Sequence, residues 1–136
     1  MEITTNVVVL WGNFVIESLD NNGKMIKKIF NDFRVKELEA IILVDSIQSF
    51  NARAYTAGLA YNPNNLIVMP NFSADNKNNE NILKVALKLI PGSIRENVKF
   101  EDITFVSNNG KDCADAKELG IKFIILDSKL KQKVIQ

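Results

Sequence analysis

Five short runs of apolar residues constrain this chain more than any other feature: "NVVVLW" (Asn6 to Trp11), "AIILV" (Ala40–Val44), "NNLIVM", "DITFVS" and "KFIILD". Each is too short for a buried helix, and none alternates apolar with polar residues. Runs of that kind are strands buried on both faces, as in parallel sheets. Polar, helix-forming stretches separate most of them. "QSFNARAYTAGL" reads as a helix closed by Gly58 in a C′ position. "NKNNENILKVALKLIPG" reads as an amphipathic helix with Ile82, Val85, Ala86 and Leu89 on one face, ended by Pro91-Gly92. "DCADAKELG" reads as a third helix. The segment "VKELEAIILVDS" begins helical and becomes a strand. Strands alternating with helices predict an α/β fold, a Rossmann-like three-layer α/β/α sandwich with a mostly parallel sheet.

One segment departs from the alternation. "FVIESLDNNGKMIKKIF", from Phe14 to Phe30, reads as two short strands about Asn21-Asn22-Gly23, a strong hairpin signal. A two-stranded hairpin is marginal alone. Val15, Ile16, Met25, Ile26 and Ile29 would need a partner face, so the hairpin over 14–30 is expected to mediate a homo-oligomer. The other expectation is that it folds back on its own domain.

Length and composition narrow the function. The chain has 136 residues, one domain's worth. Its 17 basic and 16 acidic residues leave a net charge of +1, so no basic patch announces nucleic acid or a membrane surface. No apolar run reaches the roughly 18 residues of a membrane span, and "MEITTN" lacks the features of a signal peptide. The single cysteine, Cys113, forms no internal disulfide and fits a reducing, cytoplasmic setting. There is no histidine. That excludes a Ser-His-Asp triad, a Cys-His pair and a His-bearing zinc site, and leaves carboxylates, lysines and hydroxyls for any chemistry. "IILVDSIQ" has no accompanying G-x-x-x-x-G-K-[ST] loop, which excludes a P-loop nucleotide site.

In parallel α/β sheets ligands sit beyond the carboxyl ends of the strands. Those ends fall near Trp11–Asn13, Asp45–Ser46, Pro70–Phe72 and Ser107–Asp112. The residues around them resemble the haloacid dehalogenase superfamily, more narrowly its capless 3-deoxy-manno-octulosonate 8-phosphate phosphatases. "NNGKMIKKIF" matches that family's post-strand hairpin, with Gly23, Lys27 or Lys28, and Phe30. Asp45-Ser46, followed by Arg53-Ala54 and Gly58, matches its second landmark, and Lys77 in "ADNKNN" its helix-start lysine. Ser107-Asn108-Asn109-Gly110-Lys111-Asp112, with Gly120 closing the helix, matches its Gly-Asp-Asp-x-x-Asp loop.

The resemblance implies a first-strand Asp nucleophile, a second Asp as acid/base, and Mg²⁺. The aligned positions are Leu10 and Gly12, and no Asp lies between Asn6 and Ser18. Asn108 and Asn109 stand where metal-facing aspartates would be, and an amide oxygen is a much poorer Mg²⁺ ligand than a carboxylate. The resemblance therefore implies a scaffold kept and a reaction lost: a binding, scaffold or regulatory protein without a cofactor, as a homo-oligomer that the family's pattern makes a tetramer. Its ligand would be a small anion held by Ser46, Lys77, Ser107, Asn108 and Asn109. The alternative is a working phosphatase with displaced chemistry. Asp45 would then be nucleophile or metal ligand, with Asp75 or Asp112 beside it, Lys77 on the phosphoryl oxygens, and Mg²⁺ as cofactor. Plainer roles stand beside these. Asp112 fits a helix N-cap with Asp115 in the first turn. Ser46 fits a cap of the following helix. Lys77 fits a solvated loop, and Trp11 with Phe14 fits a core or interface pair.

Overall fold

β-branched and aromatic residues in the apolar runs pair side by side into one five-stranded sheet with every ladder parallel. The computed structural model describes residues 3–69, 99–127 and 129–132, without the side chains of 112 and 113. In chain order its elements are β1 (Val7–Trp11), α1 (Gly12–Val35), β2 (Glu39–Val44), α2 (Ile47–Ala57), β3 (Leu66–Val68), β4 (Ile103–Ser107), α3 (Gly110–Glu118) and β5 (Lys122–Ile125). The sheet order is β3-β2-β1-β4-β5, with β1 in the centre. Val9 lies opposite Ile41 on one side and Phe105 on the other. The expected mixed α/β fold with a parallel sheet is what forms. The amphipathic helix expected over "NKNNENILKVALKLIPG" lies outside the described residues.

Both faces of β1 are buried, which explains why its sequence does not alternate. Val8 and Leu10 pack with Phe14, Phe30 and Ile42 in one cluster. Val7 and Val9 pack with Ile41, Phe105 and Ala116 in the other. Helices α1 and α2 contribute to the first cluster, through residues such as Phe33 and Phe50, and Ala116 of α3 to the second. Among the described residues no helix is long and apolar enough to cross a membrane.

The hairpin over 14–30 does not form. The segment is helical and belongs to α1. Its buried residues are Phe14, Val15 and Ser18, then Ile26, Ile29, Phe30 and Phe33. That is the three-and-four spacing of a helix face, whereas a ribbon would bury every second residue. A two-residue hairpin turn of the Asn-Gly kind needs φ > 0 at its central residues. Asn22 instead has φ −154° and ψ 57°, a break that kinks the helix without reversing the chain. Of the apolar residues thought to need a partner subunit, Val15, Ile26 and Ile29 are buried within the chain, and Ile16 and Met25 pack half-buried against the same core. The physical motive for a tetramer through 14–30 goes with the hairpin.

Val35 ends α1 and does not begin a new helix. Glu37 takes the left-handed conformation (φ 58°), and the Leu38 N–H bonds back to the Phe33 carbonyl at 2.9 Å, closing the terminus. Gly58 closes α2 in the same conformation (φ 74°), as its position in the sequence required.

Candidate functional site

The chain runs from β1 outward to β3 on one side and from β4 to β5 on the other. The sheet therefore changes winding direction between β1 and β4, and in open α/β sheets ligands bind at such a switch point, beyond the carboxyl ends of the strands. Here those ends carry a groove of three cavities that share lining residues, of mixed polar and apolar character. The central one, about 240 Å³, lies between the β1–α1 turn and the β4–α3 loop and is lined by Trp11, Asn13, Glu17, Asp45, Asn108 and Asn109. Toward β5, Glu17 and Asn108 also line a cavity of about 280 Å³ with Asn21, Asn22 and Asp127. Toward β2, Asn13 and Asp45 also line one of about 310 Å³ with Gly12, Ser46 and Arg53.

The structure brings Asp45, Asn108 and Asn109 together on the central cavity, and all three are exposed. Ser46 is next door, and its hydroxyl accepts the Ser49 N–H at 3.2 Å as the N-cap of α2. Ser107 lines none of these three cavities. It is buried at the end of β4, where its Oγ accepts the Asn109 N–H at 3.0 Å. Asn109 caps α3, its Oδ1 accepting from the Lys111 N–H at 2.9 Å. The cap expected at Asp112 is thus Asn109. Asp112 is the third residue of the helix, and Asp115 falls in the second turn. Lys77 and Asp75 lie outside the described residues, as does the Asp112 side chain.

The two positions that the resemblance aligns with that family's aspartates differ in their surroundings. Leu10 is fully buried and packs in the core with Phe14 and Ile42. Gly12 begins α1 and passes so close to β2 that a Cβ would sit 2.9 Å from Val44 Cγ1 and 3.1 Å from the Leu43 carbonyl oxygen. A carboxylate has no room at Gly12 unless the turn moves.

Glu17, Arg53 and Asp127 also face the groove, and sequence reasoning did not make them ligand contacts; Asn13, at the first strand end named above, faces it too. Reading 14–30 as a ribbon hid Glu17. The helical spacing of Phe14, Val15 and Ser18 was the signal that would have recovered it. Arg53 is the cation of the β2-side wall. Its guanidinium donates to the Asp20 carboxylate at 2.6 Å on an exposed surface and ties α2 to α1. Asp127 Oδ1 accepts from the N–H groups of Lys129 and Lys131 and shapes the turn after β5.

Helix α1 has no side chain capping its N-terminus: Trp11 is the N-cap residue, and no acidic residue stands in the first turn. Its first N–H groups carry the positive end of the helix dipole at the switch point. By contrast, Asn109 already occupies one first-turn donor of α3. The first-turn donors of α1 thus have no side-chain cap, whereas those of α3 do. Asp45 and Glu17 line the same cavity. Among the described residues no group of three or more Cys, Asp or Glu side chains is placed to hold a metal ion. Compared with known proteins, the chain matches no family model and no curated sequence.

Proposed function

We propose that this chain is a catalytically degenerate, haloacid-dehalogenase-like domain, a three-layer α/β/α sandwich of the cytoplasm. It acts as a binding, scaffold or regulatory protein that takes a small anionic ligand at the strand ends. The observation that carries this reading is the β1–α1 turn. The position aligned with an acid/base is Gly12, packed against Val44 and the Leu43 carbonyl with no room for a side chain. The same turn offers uncapped helix N–H groups to an anion. Asn13, Asn108 and Asn109 supply neutral amides around it. Asp45 and Glu17 would repel a bare, multiply charged anion, but they accept hydrogen bonds from hydroxyls. That combination fits a phosphate carried on a polyhydroxylated body, such as a sugar-acid phosphate or a nucleotide sugar.

One observation favours the alternative of a displaced phosphatase: two carboxylates, Asp45 and Glu17, share the central cavity. With Asp112 and Mg²⁺ they would supply a nucleophile and metal charge. A single experiment separates the readings. Phosphate release from an aryl phosphate and a panel of sugar-acid phosphates is measured with millimolar Mg²⁺, beside Asp45→Asn and Asp112→Asn. Thermal unfolding is followed with the same panel. The binding reading expects no turnover above buffer and a raised melting temperature with one class of ligand; saturation to a hundred times Kd adds about 2.7 kcal/mol. Turnover abolished by either substitution overturns it.

A further inference from the structure

The dipeptide Asn-Gly occurs twice, at Asn22-Gly23 and Asn109-Gly110, each time after another asparagine. Asparagine is a thermolabile residue, and glycine next to it leaves the following backbone nitrogen unshielded. Within a regular helix the pair is protected, because fixed φ and ψ hold that nitrogen away from the side-chain carbonyl carbon. Sequence alone ranks the two sites equally, and the structure does not. Asn22 lies inside α1 but outside helical conformation, at φ −154° and ψ 57°. Its Nδ2 donates to the Lys129 carbonyl at 3.4 Å, beyond the usual range for such a bond. A Cβ built on Gly23 would meet no heavy atom within 4 Å, so a substitution there can be made without a clash. Asn109 is held more firmly, as the cap of α3 with its Oδ1 on the Lys111 N–H at 2.9 Å.

We infer that Asn22 is a site of spontaneous covalent modification, deamidating through a cyclic imide with Gly23 and adding a carboxylate to the wall of the groove. The Gly23 backbone nitrogen attacks Asn22 Cγ. The N–Cγ bond forms, the Cγ–Nδ2 bond breaks, and ammonia departs with the proton that nitrogen gave up. Water then opens the five-membered imide. Addition at Cγ gives aspartate. Addition at the backbone carbonyl gives isoaspartate, which lengthens the main chain at the kink by one atom. No electrons are transferred, and water is the only co-reactant.

Asn22 lines the β5-side cavity with Glu17 and Asp127, so the product sets a third acid there. Net charge falls from +1 by one, to 0, at pH 7. A carboxylate cannot donate to the Lys129 carbonyl, so the tie between the α1 kink and the C-terminal turn is lost. Weaker anion binding after ageing rests on the function proposed above, whereas the modification itself does not.

The test incubates the whole chain at physiological temperature and mildly alkaline pH, where the attacking nitrogen more readily loses its proton. Samples taken over days are digested, and the Asn, Asp and isoAsp forms are resolved by mass spectrometry. Asn22 is expected to convert first, Asn109 more slowly, and Asn51 of α2, which accepts from the Tyr61 hydroxyl, last. Gly23→Ala, for which there is room, should slow conversion at Asn22 about tenfold, equivalent to about 1.4 kcal/mol at the barrier. Asn109 converting as fast as Asn22, or an unchanged rate in Gly23→Ala, overturns the inference.

Discussion

Gly12 and Gly23 belong to the same helix under opposite constraints, and the difference is measurable. At Gly12 a methyl group would press on Val44 Cγ1 at 2.9 Å and on a backbone oxygen, which cannot swing aside. Overpacking of that kind costs about 1–3 kcal/mol. At Gly23 the same methyl meets nothing, and replacing a helical glycine by alanine gains roughly 0.5–1 kcal/mol. Urea unfolding of Gly12→Ala should therefore give a lower midpoint than wild type at the same slope, and Gly23→Ala an equal or higher one. Equal midpoints for the two variants would mean that packing of the β1–α1 turn against β2 does not constrain Gly12.

Among the elements, α2 carries the clearest dependence on a single side chain. Its first turn has no acidic residue, and the Ser46 hydroxyl on the Ser49 N–H is the cap. Ser46→Ala should cost about 1 kcal/mol of stability, and Ser46→Asp should retain most of it because a carboxylate also caps. Chemical denaturation of the two variants checks this. A loss equal in both would show that the hydroxyl acts otherwise than as a cap. Helix α1 shows how an element can override a local signal. Asn-Gly between apolar runs favours a hairpin, but burying Ile26, Ile29, Phe30 and Phe33 on one helix face against the sheet outweighs two turn residues. The turn signal survives only as the kink at Asn22.

For the molecule as a whole, the absence of histidine removes the group that most often makes stability depend on pH near neutrality. The dependence should appear on the alkaline side, at Tyr61. This residue packs edge-on against Phe50 and donates to Asn51, and burial raises its phenol above the ordinary value of 10.0. A raised pKa means that the unfolded chain releases this proton first. The contribution is therefore fully present below pH 10.0 and is lost as pH rises through the folded value. Unfolding followed from neutral to strongly alkaline pH should show wild type losing stability faster than Tyr61→Phe. Parallel curves would sink the assignment.

Much of this fold was legible in the sequence because strand burial is a local property. Val7 to Leu10 and Ile41 to Val44 are apolar without alternation, and Ile103 to Val106 is so but for the buried Thr104; only a sheet covered on both faces buries such runs. The αL closure at Gly58 and the cap at Ser46 were readable for the same reason: each depends on a few adjacent residues. The lack of an aspartate in the first strand and its turn was likewise a fact of sequence. The segment 14–30 was not legible, because turn chemistry and helical periodicity conflict there and only packing against β1 and β2 decides between them. The site was legible only at strand ends. Asp45, Asn108 and Asn109 follow strands directly, so the sheet alone brings them together. Glu17 and Arg53 reach the same groove from helices, and which face of a helix looks into a groove is fixed by what the opposite face must bury.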